Sequence, residues 1–137
     1  MDLTNKIVLA HKGYFDKESQ KIYRENSEDI CKIATTKDYI GLIELDVRKS
    51  RDGILYCYHG SLFEYYFSLR FPKNLSFMKA TYNVDTLKEI LRVISEDKIV
   101  VLDIKDRSVT KEGIVSVIGD KRFKDVIVGG SSDAIRV

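Results

Sequence analysis

Apolar residues come in short runs separated by polar stretches, and the period of the runs changes along the chain. Ile7 to Ala10 is a continuous apolar run closed by His11, which predicts a first strand. A polar loop follows from Lys12-Gly13 to Glu25, after which Asn26 or Ser27 can cap a helix from about Glu28 to Lys37. Gly41 interrupts, and Leu42 to Arg48 predicts a second strand. Asp52-Gly53 then marks a tight turn, with Ile54 to Tyr58 returning as a further strand. The stretch 61–82 fits no single period and holds Phe63, Tyr65, Tyr66, Phe67, Phe71 and Phe77 around Pro72. Leu87, Ile90, Leu91 and Ile94 recur at helical spacing, so a helix over Thr86 to Ile94 is expected, with Asp85 as its cap. Ile99 to Ile104 reads as a strand broken only by Asp103. Thr110 caps a short helix to Ile118, Val126 to Val128 is a last strand, and Ser131 to Arg136 begins another helix.

Strands that alternate with helices, and that are apolar nearly throughout, predict a parallel α/β sheet. About four βα units are present. Neither an internal repeat nor a linker divides residues 1–137, which read as a single domain.

Composition narrows the function. The 23 basic and 21 acidic residues leave a formal charge of +2, and no basic block carries interleaved aromatics, so nucleic acid is not expected as a partner. Cys31 and Cys57 fall at predicted core positions and form no Cys-x-x-Cys pair, which argues for reduced buried thiols over zinc or dithiol chemistry. No apolar run approaches the ~18 residues of a membrane span, and a cytoplasmic location is expected.

The candidate chemistry lies where charge interrupts apolar strands. Glu44-Leu45-Asp46 places two carboxylates on one face of a strand, because strand side chains alternate. Such a pair repels itself unless a cation or a histidine lies between. A two-residue Asp52-Gly53 loop would set Asp46 opposite His59, and a four-residue loop would set Glu44 there. Either register brings His59 to the carboxylate face. Asp103 interrupts a third strand, with Lys105 two residues on. His11, Glu44, Asp46 and Asp103 thus stand at or near the C-terminal ends of successive strands, the edge where parallel α/β folds bind ligands.

In order along the chain, His11-Lys12-Gly13, Glu25-Asn26-Ser27, Glu44-Leu45-Asp46-Val47, Asp52-Gly53, His59-Gly60, Thr86-Leu87-Lys88-Glu89 and Asp103-Ile104-Lys105 resemble the motifs of the glycerophosphodiester phosphodiesterase family. Ser131-Ser132-Asp133 is similar to a further serine-containing step of that family. The resemblance implies a TIM-barrel-like fold and metal-dependent hydrolysis of a glycerophosphodiester to glycerol 3-phosphate and an alcohol. It implies Glu44, Asp46 and Asp103 as metal ligands, His11 and His59 as the acid/base pair, and Lys12 and Lys105 as phosphate contacts. Carboxylate oxygens without thiolates suit Mg²⁺ or Ca²⁺. Imidazole, with an unperturbed pKa of about 6.5, suits proton transfer near neutral pH.

Three positions depart from the family pattern. Lys12 replaces an arginine and turns a bidentate fork into a point charge. Gly60 replaces an aspartate that could orient the histidine, and Asp103 replaces a glutamate one methylene longer. A full barrel needs about 250 residues, so 137 residues correspond to a half or truncated barrel. A half-barrel exposes strand edges and an apolar inner face, which favours a homo-oligomer or a place within a longer chain. A catalytically weak or inactive homologue that binds a phosphorylated ligand within an oligomer is the alternative reading.

Overall fold

A computed structural model describes residues 8–130. Its longest strand, β2 (Ile40–Lys49), organises the rest. One edge of β2 takes β1 (Val8–His11) in parallel and, further along, β3 (Leu55–Cys57) antiparallel. The other edge takes β5 (Ile99–Ile104) in parallel, and β6 (Asp125–Gly130) continues the parallel sheet beyond it. A two-residue strand, β4 (Asp85–Thr86), pairs with β3.

Helices cover one face. Between β1 and β2 lie α1 (Lys17–Ile22) and α2 (Glu28–Ala34), and α5 (Leu87–Val93) precedes β5. Between β5 and β6 runs α6 (Lys111–Ile118), capped by Thr110 as its sequence predicts. The odd-numbered residues of β2, namely Ile43, Leu45 and Val47, are fully buried against Ile30, Ala34, Leu87 and Ile90. Cys31 and Cys57 belong to this core as free thiols, as expected, and burial pushes both thiols up.

The segment 61–82 folds as one helical turn, α3 (Leu62–Glu64), a π-helical stretch (Tyr65–Leu69) and α4 (Leu75–Tyr82). It builds a second, smaller core of Tyr56, Met78 and Val84, with Tyr58, Leu69, Leu75 and Tyr82 around it.

Three sequence expectations are corrected. The β2–β3 hairpin follows neither anticipated register: Val47 pairs with Cys57 and Arg48 with Tyr56, so Tyr56 shares the carboxylate face and strand pairing does not bring His59 to it, as both anticipated registers did. Gly53, at φ +87°, donates its N–H to the Ser50 carbonyl, and Ser50 N–H binds the Ile54 carbonyl, leaving a three-residue loop, 51–53. A three-residue loop with a left-handed third residue is the next commonest hairpin after the two-residue form. Thr86, not Asp85, caps α5 by accepting from Glu89 N–H at 3.0 Å. Asp85 instead accepts from the Glu28 N–H at 2.7 Å and from Arg24 at 3.2 Å, tying β4 to the start of α2. The stretch 17–22, expected as loop, is α1, with a capping box between Asp16 and Ser19. The helix expected from Ser131 lies outside the described residues.

Candidate active site

The parallel registers decide which polar residues meet. His11 stands beside Glu44, and Asp46 beside Asp103. Parallel partners share a face, so these four residues and Lys105 occupy the face turned away from α2, α5 and α6.

His11 Nε2 lies 3.3 Å from Glu44 Oε2. The histidine is largely exposed and the glutamate nearly buried. The other oxygen of this carboxylate, Oε1, is buried without a hydrogen-bond partner. Burial, then the neighbouring charge of Asp46, raises the Glu44 carboxyl above its ordinary range, against the pull of His11 and Lys105.

Asp46 is only 1% exposed, and its position is fixed by Asn26, which the sequence offered as a possible helix cap and as part of the Glu25-Asn26-Ser27 motif but not as a partner of Asp46. Asn26 donates from Nδ2 to Asp46 Oδ2 at 2.9 Å and accepts from the Asp46 backbone N–H through Oδ1, also at 2.9 Å. Ser27, not Asn26, caps α2. Asn26 adopts φ +53°, and its own N–H binds the carbonyl of Lys12, which is also left-handed at φ +57°. The neighbouring Gly13, at φ +91°, has no room for a Cβ, which would lie 2.6 Å from Ile30 Cγ2. The loop after β1 is therefore pressed onto α2, and that contact carries Asn26 to Asp46.

Lys105 bridges the other two carboxylates, with Nζ 2.8 Å from Asp103 Oδ2 and 3.7 Å from Asp46 Oδ1. Burial alone would lower its pKa, but the Asp103 hydrogen bond and the charges of Asp103, Asp46 and Glu44 raise it, keeping the ammonium charged. Lys12 pairs with Glu25 at 3.3 Å. His59 follows β3 by two residues and is exposed. Its carbonyl is bound by Arg48 Nη2 at 2.6 Å, while Arg48 Nε holds the Tyr58 carbonyl at 3.0 Å. Arg48 lies on the carboxylate face, two residues from Asp46, and sequence reasoning assigned it nothing beyond a strand end.

Among the described residues, no group of three or more His, Cys, Asp or Glu side chains is arranged to hold a metal ion. Asp103 is drawn to Lys105. What does fit a hard cation is the pair Glu44 and Asp46: one oxygen is orphaned and buried, and the second carboxylate is held rigid from behind by Asn26.

Solved structures share this arrangement of elements. A glycerophosphodiester phosphodiesterase from Thermotoga maritima matches over 93% of this chain and 54% of its own, at 28% identity and a TM-score of 0.69. The chain carries the fold of the first half of a glycerophosphodiester phosphodiesterase. The enzyme of that name from Agrobacterium tumefaciens matches at 19% identity and a TM-score of 0.66, over 93% of this chain and 59% of its own. A glycerophosphoryl diester phosphodiesterase domain from Mycobacterium tuberculosis matches at 15% and 0.62, over 93% of this chain and 53% of its own. The chain thus spans little more than half the length of these phosphodiesterases, and its parallel sheet is that part of a TIM-type barrel. No family model matches the sequence, and neither does any curated protein.

Proposed function

We propose that this chain supplies the metal-binding and proton-transfer side of a glycerophosphodiester phosphodiesterase, hydrolysing the diester to glycerol 3-phosphate and an alcohol. The observation that carries the reading is the His11–Glu44–Asp46 cluster, with its orphaned carboxylate oxygen, on a fold shared with phosphodiesterases. Glu44 and Asp46 would hold Mg²⁺ or Ca²⁺, with Asp103 as third carboxylate once Lys105 turns to the substrate. When bound, the ion polarises the phosphoryl oxygens and offsets developing charge. His11 and His59 divide the proton traffic: one imidazole takes a proton from the attacking water or substrate hydroxyl, and the other gives one to the leaving alkoxide. Lys105 and Lys12 contact phosphate oxygens as point charges. Arg48 is a positioning residue that holds the backbone of His59.

The experiment has two readouts. Ca²⁺ or Mg²⁺ at about 100 times its Kd should stabilise the native chain by roughly 3 kcal/mol, seen as a higher Tm, and Glu44→Gln should abolish the rise. Release of glycerol 3-phosphate from a panel of glycerophosphodiesters should need the metal and be lost in His11→Ala and His59→Ala. An unchanged Tm response in Glu44→Gln removes Glu44 from the ligand set. Metal binding and phosphate-ester binding without release, at any assembly state, favours the second reading, a weak or inactive homologue that binds a phosphorylated ligand within an oligomer. The Lys105–Asp103 pair, which ties up the third carboxylate, is the feature that speaks for it.

A further inference from the structure

Just beyond His59, Leu62, Phe63, Tyr66, Phe67 and Phe71 are 74%, 70%, 54%, 70% and 57% exposed. Large apolar side chains rarely cluster in water at such exposure without a partner. Their arrangement is ordered: the Phe63 and Phe67 rings lie 4.4 Å apart, and with Leu62, Tyr66 and Arg70 they line a groove of about 580 Å³. The same segment carries cations over its rings. The Arg70 guanidinium stands 4.7 Å from the Phe71 ring centre and 5.7 Å from that of Tyr66, and Lys73 Nζ is 5.9 Å from that of Phe77.

Charge identifies the occupant. Residues 61–82 hold Arg70, Lys73 and Lys79 against Glu64, a net +2, and the remaining 20 basic and 20 acidic residues cancel. The formal excess of positive charge therefore falls in this stretch, and with Lys79 paired to Glu89 at 2.9 Å the cations that rim the rings are Arg70 and Lys73. Its single acid is already engaged, accepting from the Tyr58 hydroxyl at 2.5 Å and from the Ser61 N–H at 2.9 Å. A second copy docked face to face would oppose Arg70 and Lys73 with the same cations. Exposed phenylalanines with tyrosines and a basic rim instead match the headgroup–acyl boundary of an anionic bilayer, where rings enter and cations meet phosphates.

We propose that the segment 61–73 docks this chain onto anionic phospholipid surfaces, with Phe63 and Phe67 inserting and Arg70 and Lys73 contacting lipid phosphates. Docking brings His59, two residues before the segment, to the membrane side. The proposal stands apart from hydrolysis, since binding is read without turnover. Co-sedimentation of the whole chain is measured with phosphatidylcholine vesicles, with and without phosphatidylglycerol. Binding to the anionic vesicles is expected, weakening as salt rises. Phe63→Ser combined with Phe67→Ser should reduce it roughly tenfold or more, and Arg70→Glu should weaken it while leaving binding at high salt little changed. Both variants alter exposed side chains, and an unchanged Tm confirms their fold. No binding to anionic vesicles, or full binding by the double variant, overturns the proposal. So does a solution mass of twice 15.8 kDa that falls to 15.8 kDa in the double variant, which would give the patch to self-association.

Discussion

One face of the sheet has two halves that differ in cover. At the β3 end, Tyr56 shares a face with Arg48, Asp46 and Glu44, yet is 4% exposed because α4 and the π-helical stretch lie over it. At the β1 and β6 edges nothing in the described residues covers that face. There Leu9 and Ile127 are 45% and 46% exposed, and His11, Asp103 and Lys105 are open to solvent in part. The covered half is tyrosine, methionine and valine; the bare half mixes aliphatic residues with the candidate chemistry. A sheet face that must admit a ligand cannot also be closed by its own chain, and the 61–82 insertion stops short of the carboxylates.

The difference in cover makes a steep difference in what substitutions cost. Met78→Ala removes a fully buried side chain from the small cluster and should cost about 2–5 kcal/mol in chemical denaturation. Ile127→Ser, on the bare half, should cost about 0.5 kcal/mol or less. If Ile127→Ser proves as costly as Met78→Ala, the bare half is covered in solution, and light scattering must then show a mass above 15.8 kDa.

Between those halves, Asn26→Ala should be nearly as damaging as the core truncation, although it removes no apolar contact. It strands the Asp46 N–H and one Asp46 oxygen in a buried position, at about 1–3 kcal/mol each. Equilibrium unfolding gives the stability, and a cation titration of the variant should show a weakened Tm response. A loss under about 0.5 kcal/mol would mean that Asp46 is held by its strand alone.

A small, pH-dependent effect concerns the rim of the covered half. Burial would raise the Glu64 carboxyl, but the Tyr58 hydroxyl and the Ser61 N–H and hydroxyl outweigh it and lower it. A carboxyl lowered by folding contributes stability above its unfolded pKa of about 4.3 and loses it as pH falls through the folded value. Tyr58→Phe should therefore cost less than about 1 kcal/mol at neutral pH, the group being partly exposed and screened by solvent. Tm against pH should converge for parent and variant in acid. A gap that stays constant into acid would assign the loss to ring packing.

Much of this was legible in the sequence because the signals were local. The apolar runs of β1, β2 and β5, the Thr110 cap and the helical spacing of Leu87, Ile90 and Leu91 each report their own segment. That Asp46 and Asp103 stand near the C-terminal ends of parallel strands was legible too; that they are direct register partners was not. What failed depended on one residue more or fewer, or on distance. The hairpin register turned on whether Arg51 joins the loop, and a single-residue change moves every side chain to the other face. Helix α1 has one exposed apolar residue, Ile22, and so no stripe to detect; its Asp16–Ser19 capping box was the available signal. Asn26 reaches Asp46 across 20 positions, and its sequence context reads equally well as a helix cap. Arg48 acts on carbonyls 10 and 11 residues away, which no period reveals.

Strand β2 is hydrogen-bonded along both edges, to β1 and β3 on one side and β5 on the other, and both carboxylates of the pair lie inside that stretch. The Asp46 peptide hydrogen is held instead by the Asn26 side chain, so its protection depends on the loop before α2 as well as on the sheet. His59 sits two residues past the end of a three-residue strand, moored by its carbonyl to one arginine. The carboxylate floor is thus held from two sides, by the strands beside β2 and by Asn26, whereas His59 is tied to Arg48 through its backbone carbonyl. An incoming molecule therefore meets carboxylates whose position is set from behind, by Asn26.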